Sequence, residues 1–506
     1  MLQHDRAGMF VPACAEIAQW RGTVLIRLES MYRALLATFL LLTATPSTAS
    51  PPADISADIR ELLADSQLPD GQAVDIGPVR AFYEQRTYLP AWTGGVEARG
   101  RAQQMIAALL AADTDGLDPG SYQAKNPVLG EFPRTARSAA EFDILLTDGA
   151  LRFARDLRLG RAELRSLDPD VDLPSQVFDP VASLDAAVES NSIAAFVANL
   201  PPPHPEYARL KRALASFREA VSHNDDAKDD SGVPLTERVM QIAANMERWR
   251  WLPRSFEPSY IEVNVPDERL VVMGSQGPVL ESRVVVGRPG DPTPIFRAVA
   301  TSVTVNPPWN VPEEIARREI LPKLKRNPDY LLANDMILRD GPRNDPYGLH
   351  IDWNAMPAAA FRYHVQQRPG PKNALGMLKL ELPNRFNVYL HYTSAESAFD
   401  RDSRALSHGC VRVEQILPLA SYALTRDTKA AIASLQAAIA TVATQHLSLS
   451  SPLAVYFLYW TAFVDENGVI QFRPDIYDRD ARLIAAMQNR VANARVTTNA
   501  VQCQPA

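Results

Sequence analysis

The sequence predicts an α+β protein, with a helical N-terminal domain followed by a mainly antiparallel β domain that carries a long insert. Three observations predict it. Before residue 222, apolar residues recur at helical spacing. From Tyr260 the period changes to two, and strand follows strand with no helix between. Residues 313–371 then interrupt the strands over a stretch too long for an ordinary loop, as a lid subdomain would.

The N-terminus comes first. Arg33 precedes an apolar run, Ala34–Leu42, which ends in small residues at Ser47-Thr48-Ala49. A basic start, an apolar centre and a small-residue end make a secretory signal peptide, too short to span a bilayer as a helix. The residues before Met31 show no such pattern, so Met31 is expected to be the true start and 1–49 the signal region. Retention as an uncleaved anchor close to the inner membrane is the alternative. Either way the chain is expected outside the cytoplasm.

Residues 50–222 form the helical domain. Ile55, Ile59, Leu62 and Leu63 lie on one face; so do Ala102, Met105, Ile106, Leu109 and Leu110. Phe142, Leu145, Leu146, Phe153 and Leu157 mark a long amphipathic helix with Gly160 as its cap. Pro201–Pro205 is a stiff extended segment. Tyr207–Val221 reads as a further helix, and residues 223–235 as a polar linker. This domain reads as scaffold, with a direct part in binding as the sharper alternative.

Residues 236–488 form the second domain. Thr236 opens a helix with Val239, Ile242, Met246 and Trp249 on one face, and Pro253 ends it. Strands are predicted at Tyr260–Val265, Leu270–Met273, Val279–Gly287, Ala300–Val305, Met377–Leu380 and Phe386–His391. A helix over Val413–Leu424 and a strand over Pro452–Phe463 follow, with a hairpin turn at Asp465–Gly468 and last strands that complete the sheet. Within the insert, Ile315–Leu324 reads as a helix. Arg317, Arg318, Lys323, Lys325 and Arg326 make a basic face, either solvated or attractive to carboxylates. The tail, 489–506, is expected to be disordered.

Composition excludes several functions. A net charge of −7 over 506 residues argues against a nucleic-acid partner. No Gly-rich phosphate loop follows a strand, so no nucleotide is expected. The His residues lack ligand spacing and no Cys are paired, so neither metal nor other cofactor is expected. Of three Cys, Cys14 falls in the signal region and Cys503 near the C-terminus. Two remaining Cys give no disulfide framework, and pairing Cys410 with Cys503 would silence the one thiol set in a reactive context.

That context is Tyr389-Leu390-His391-Tyr392-Thr393 and Ser407-His408-Gly409-Cys410-Val411-Arg412. A thiolate is the nucleophile, and a Cys needs a base or a positive charge to reach that form. His391, His408 and Arg412 are the local groups able to supply it. Gly409 has no Cβ, so the backbone beside Cys410 is free to turn N–H groups toward an oxyanion. The bland alternative is a buried structural Cys. The polar neighbours Ser407, His408 and Arg412 weigh against it. Tyr389 shares a face with His391 and brings a hydroxyl. Arg412 either binds a substrate carboxylate or braces its loop, and Trp309 either lines a groove or packs in a core.

The string Ser407–Arg412, with His391 ending a strand upstream and Phe399 and Arg404 between, resembles the signature of the L,D-transpeptidases. These are peptidoglycan cross-linking enzymes with a YkuD-type catalytic domain. Met246–Pro253, Tyr260–Val265 and Asn306–Pro312 resemble their large, multi-domain periplasmic subgroup of Gram-negative bacteria, from about Ile55 to about Ala485. The resemblance implies a scaffold domain over 50–222, a catalytic domain over 236–488 and a substrate-capping subdomain over 313–371. Where relatives carry a peptidoglycan-binding module this chain has only the linker 223–235. The resemblance also makes Cys410 the nucleophile, His391 the proton donor and acceptor, and the backbone carbonyl of Tyr392 the group that orients the imidazole. The residues themselves offer Gly409 and Cys410 as oxyanion N–H donors and Tyr389, Ser407, Arg412 and Trp309 around the substrate, with His408 either touching substrate or serving the local structure. The implied substrate is a peptidoglycan stem peptide, joined through a Cys thioester into a 3→3 cross-link. The implied setting is wall biogenesis and cell shape in the periplasm, with carbapenem acylation of the thiol. A thiol carboxypeptidase and a non-catalytic wall-binding scaffold are the alternatives.

Overall fold

A computed structural model describes residues 52–65, 74–162 and 167–488. The signal region, Cys14, Cys503 and the tail lie outside the described residues. Among the described residues no helix is long and apolar enough to cross a membrane.

The helical part is organised on Ala136–Leu159. Thr135 and Ser138 exchange capping bonds at its start, and Gly160, at φ +92°, ends it. The helix is buried on most of its circumference, so it forms the centre of its layer. Pro52–Asp65, Ile76–Gln85, Val96–Leu110 and Pro180–Glu189 pack around it. Its Asp143 carboxylate accepts from the backbone N–H of Ala91 and Trp92, from Thr93 Oγ1 and from Tyr83 OH, so a buried acid is fully engaged.

Pro205–His223 packs against Leu235–Arg250. The predicted linker between them is a tight loop. Asp229 accepts from Ser231 Oγ at 2.6 Å, Val233 N at 3.0 Å and Arg238 Nε at 2.7 Å, which holds its carboxyl well below the usual range. In Leu235–Arg250, Glu247 accepts from Arg250 and from the Ala162 N–H, at 2.6 and 2.7 Å. That helix therefore fastens the helical part to the β part.

The strands are β1 (Val171–Asp172), β2 (Tyr260–Asn264), β3 (Arg269–Gly274), β4 (Gly277–Gly287) and β5 (Ile295–Val305). The insert contributes β6 (Trp309–Asn310), β7 (Met336–Leu338) and β8 (Val365–Gln367). There follow β9 (Leu378–Glu381), β10 (Leu390–His391), β11 (Ala405–Ser407), β12 (Val411–Val413), β13 (Gln445–Leu458), β14 (Ala462–Val464) and β15 (Ile470–Phe472). Pairing runs β5-β13-β2-β3-β4-β12-β10-β9, and β9 pairs back onto β5, so the ring closes without a free edge. Most of these pairs are antiparallel; β2–β13 and β10–β12 are parallel. Ile261, Val263, Val284, Phe296, Leu380, Leu390, Val411 and Phe457 fill the core. Each such side chain contributes about 1.5–3 kcal/mol by leaving water.

The structure departs from the sequence reading at several ends. Strand pairing before His391 begins only at Leu390. Asn384 bridges its own loop, donating to Val388 O and accepting from Phe386 N, and Asn387 takes φ +54°. These local bonds override the alternating pattern of 386–389. β5 starts at Ile295, earlier than predicted. The helix predicted from Val413 starts at Ile416, because Val413 belongs to β12. β13 starts at Gln445 and stops at Leu458. Of the last strands, β13 completes the sheet between β5 and β2, whereas β14 and β15 form a separate hairpin.

The insert has its own small core of Val311, Leu324, Leu331, Leu338, Trp353, Phe361 and Val365. Its sheet, ordered β6-β8-β7, recruits Trp309–Asn310 from before the expected boundary. One helical run, 313–326, crosses it and widens to a π turn over Ala316–Ile320.

Candidate active site

Register builds the site. In the parallel pair β10–β12, Leu390 lies opposite Val411 and His391 opposite Arg412. Leu390 and Val411 are fully buried in the core. Their neighbours Tyr389, His391, Cys410 and Arg412 therefore share the opposite face. β9 adds Lys379 opposite His391. Lys379, His391 and Arg412 thus form one row across three strands, with Tyr389 and Cys410 in the next. All five line a cleft of about 810 Å³, within the usual range for ligand sites. Trp309, Ile315, Glu319, Lys323 and Met336 of the insert line it too.

The Cys410 thiol opens onto this cleft but is crowded by protein on its other sides. Its hydrogen bond goes to the Asn387 carbonyl, at a long 3.6 Å, and not to His391. Burial pushes the thiol above its ordinary value; the Tyr389 N–H and hydroxyl, Lys379 and Arg412 pull it back in part. Burial and the nearby sulfur together raise the Tyr389 phenol. Lys379 places its ammonium 4.0 Å from the Tyr389 ring centre and 2.9 Å from Glu381.

His391 is 4% exposed. Burial, then the charges of Arg412 and Lys379, hold the imidazole down to about 3, so it is neutral at neutral pH and has a lone pair to accept a proton. The carbonyls of Tyr392 and Leu375 lie close enough to pull the other way, yet Nδ1 makes no hydrogen bond of ordinary geometry. The Tyr392 carbonyl is therefore the ring's backbone neighbour, at a geometry looser than an ordinary hydrogen bond. The Tyr392 hydroxyl turns away to Glu396 at 2.6 Å.

The loop before the thiol is tightly braced. Gly409 sits at φ +100°, which a side chain would strain. Its N–H donates to Ser407 Oγ at 3.1 Å, and Ser407 Oγ donates to the Cys410 carbonyl at 2.6 Å. Thr293 Oγ1 donates to the Gly409 carbonyl at 2.8 Å and accepts from the Gly287 N–H at 2.9 Å. In this state, then, the Gly409 N–H is turned onto Ser407 and is not free for an oxyanion, which corrects the sequence expectation. The Ser407 hydroxyl likewise serves the loop.

His408 Nε2 meets Glu319 Oε1 at 2.6 Å, so this imidazole ties the Ser407–Arg412 loop to the π turn of the insert. Arg288 stands 3.5 Å from the same oxygen. Burial raises the Glu319 carboxyl, but His408, Lys323 and Arg288 together outweigh it and the net shift is downward. Arg412 lines the cleft with a buried Nε that has no partner, and among the described residues no carboxylate pairs with its guanidinium. Burial pulls its pKa down, and the Cys410 sulfur beside it offsets this only in part. Trp309 does both things foreseen for it: it lines the cleft and packs on the insert's core.

Six cations, Arg288, Arg318, Lys323, Lys372, Lys379 and Arg412, face three carboxylates, Asp291, Glu314 and Glu319, around the cleft. The chain is acidic overall, but this site is positive and suits an anionic ligand. Lys379, Asn387 and Glu319 were invisible to the sequence reading. Thr293 stands at a tight bend, where a Cβ on Gly287 would meet Asp291 O at 2.2 Å.

Comparison with known proteins agrees with this geometry. Residues 258–432 match the L,D-transpeptidase catalytic domain (YkuD), and residues 77–214 match the scaffold domain. The chain therefore joins a YkuD-type L,D-transpeptidase catalytic domain to a helical scaffold domain. A Haemophilus influenzae protein named "Putative L,D-transpeptidase" is 28% identical to it over 412 residues, which is 81% of this chain and 79% of that one.

Proposed function

We propose that the protein forms 3→3 peptidoglycan cross-links in the periplasm by acyl transfer through Cys410. The observation that carries this is the array of Tyr389, His391, Cys410 and Arg412 on the floor of a positive cleft roofed by the insert. The signal-like run Ala34–Ala49 supports the location.

Cys410 sulfur attacks the carbonyl carbon of the third residue of a tetrapeptide stem. His391 takes the thiol proton. The peptide C–N bond breaks, His391 returns the proton to the departing nitrogen, and D-Ala leaves. A thioester remains. The side-chain amine of a second stem then attacks that carbonyl, gives its proton to His391, and the thiolate departs from a new amide. The Tyr389 hydroxyl, facing the sulfur, stands where it can donate to the developing oxyanion. The two neutral groups pass one proton between them, so no net charge is created in the resting site.

Arg412 anchors a carboxylate of the stem. Replacing it by Gln is expected to lower kcat/KM about 10- to 100-fold on a stem with free carboxylates, with little change on the amidated stem. Equal losses on both would assign Arg412 to bracing the loop.

A carboxypeptidase would use the same thiol with water as acceptor. The roof of the cleft favours transfer, because it shields the thioester. Purified protein incubated with disaccharide tetrapeptides and analysed by mass spectrometry is expected to yield 3→3 dimers with free D-Ala. Free D-Ala and tripeptide without dimer would mean hydrolysis. No product and no covalent adduct, with binding to sacculi kept, would mean a non-catalytic scaffold.

A further inference from the structure

A second groove, of about 590 Å³, lies on the helical part and shares no lining residue with the catalytic cleft. Phe178 and Phe196 give it an aromatic wall, and Ser183 and Asn199 add polar groups. Arg158 and Arg254 stand at it together. No carboxylate is among its lining residues, and neither guanidinium forms an ion pair within the described residues. Arg158 keeps a buried Nε with no hydrogen-bond partner, its cation resting 5.6 Å from the Phe178 ring centre. Arg254 is fixed in place by donating to the carbonyls of Asn199, Leu200 and Pro201, at 2.9–3.1 Å.

A single cation here has a structural explanation. Arg158 sits in the last turn of Ala136–Leu159, where the helix dipole favours positive charge. Arg254 serves the carbonyls that follow the helix Ile193–Ala198, yet no carboxylate lines the groove to balance the pair. Burial lowers both pKa values, and the Arg254 charge adds to the shift of Arg158. Two guanidiniums held together without an acid leave a site that an anion would complete.

We infer that this groove binds a carboxylate-bearing stem peptide of peptidoglycan, as a second grip distinct from the catalytic cleft. The occupant rests on the proposed function above; the double-arginine pocket itself does not. The carboxylate meets Arg158 and Arg254, and the small apolar side chains of the stem lie along Phe178 and Phe196. On a polymeric wall, a second weak contact multiplies retention without touching the chemistry.

The test is calorimetric titration of the full chain with a free tetrapeptide stem and with its fully amidated form, at low and high salt. Wild type, Arg158→Gln, Arg412→Gln and the double variant are compared. Arg412→Gln is expected to keep one binding event, which Arg158→Gln in the same chain weakens about tenfold or more. Arg158→Lys should restore most of it, and amidation or salt should remove it. Arg158→Gln alone should lower retention on sacculi about tenfold at low salt, with unchanged turnover of soluble stems and an unchanged thermal midpoint. If Arg412→Gln alone abolishes all binding, or the double variant binds as Arg412→Gln does, the groove is no peptide site. Because the readout is binding, a failure of acyl transfer would leave this inference standing.

Discussion

Replacing Cys410 by Ala is expected to abolish acyl transfer, by more than about a thousandfold, while leaving the chain folded. The structure gives both halves of this expectation. The sulfur sits among Tyr389, Lys379 and Arg412, all aimed at stabilising a thiolate, and Cys410 is the only free thiol among the described residues. No other nucleophile stands in that position. Structurally the thiol does little. It donates only a long contact to Asn387 O, and the loop is held instead by Ser407 and Thr293. Loss of one sulfur atom at an open cleft should change stability by about 1 kcal/mol or less. Turnover on soluble stems, together with a thermal melt, checks both parts.

Replacing His391 by Gln is expected to slow acylation about 100- to 10,000-fold, the usual worth of a positioned base. It should also change how the protein responds to pH. In the wild type the imidazole is already neutral above about 3, so it imposes no loss of activity between pH 5 and 7. The raised thiol sets the other limb. Alkylation of Cys410 should therefore keep climbing beyond the pH at which an ordinary thiol levels off. Stability follows a separate rule. Folded His391 stays neutral down to about 3, while the unfolded chain binds that proton from about 6.5. Between those limits the unfolded state holds more protons, so stability rises with pH and is lost as pH falls toward 3. Gln carries no such proton, so its variant should show a flatter acid limb in urea unfolding measured across that window. An acid limb identical to that of wild type would mean that the imidazole is not held neutral.

What the sequence made legible was what depends on short spans of chain. Cys410, His391, Tyr389 and Arg412 all lie in two strings, and alternation alone places Tyr389 and His391 on one face. The helix of residues 136–159 was legible because its apolar stripe and its terminal Gly160 are local signals. The supports were not legible. Lys379 reaches the site through antiparallel pairing, Glu319 through a π turn in the insert, and Thr293 through a hydrogen bond to Gly409 across 116 positions. No spacing rule links such residues. The misplaced strand end at Phe386 has a different cause. There the side chain of Asn384 competes with strand pairing, and period alone does not see that competition. The Gly409 N–H teaches the same lesson, since a glycine beside a nucleophile permits an oxyanion donor but does not aim one.

The most direct test is intact-mass analysis of the wild-type protein mixed briefly with a tetrapeptide stem, followed by peptide mapping. The account predicts an added mass equal to the stem less D-Ala, carried on the peptide that contains Cys410. An added mass that persists in the Cys410→Ala variant would contradict it, and so would release of D-Ala by a wild-type protein that never carries an adduct.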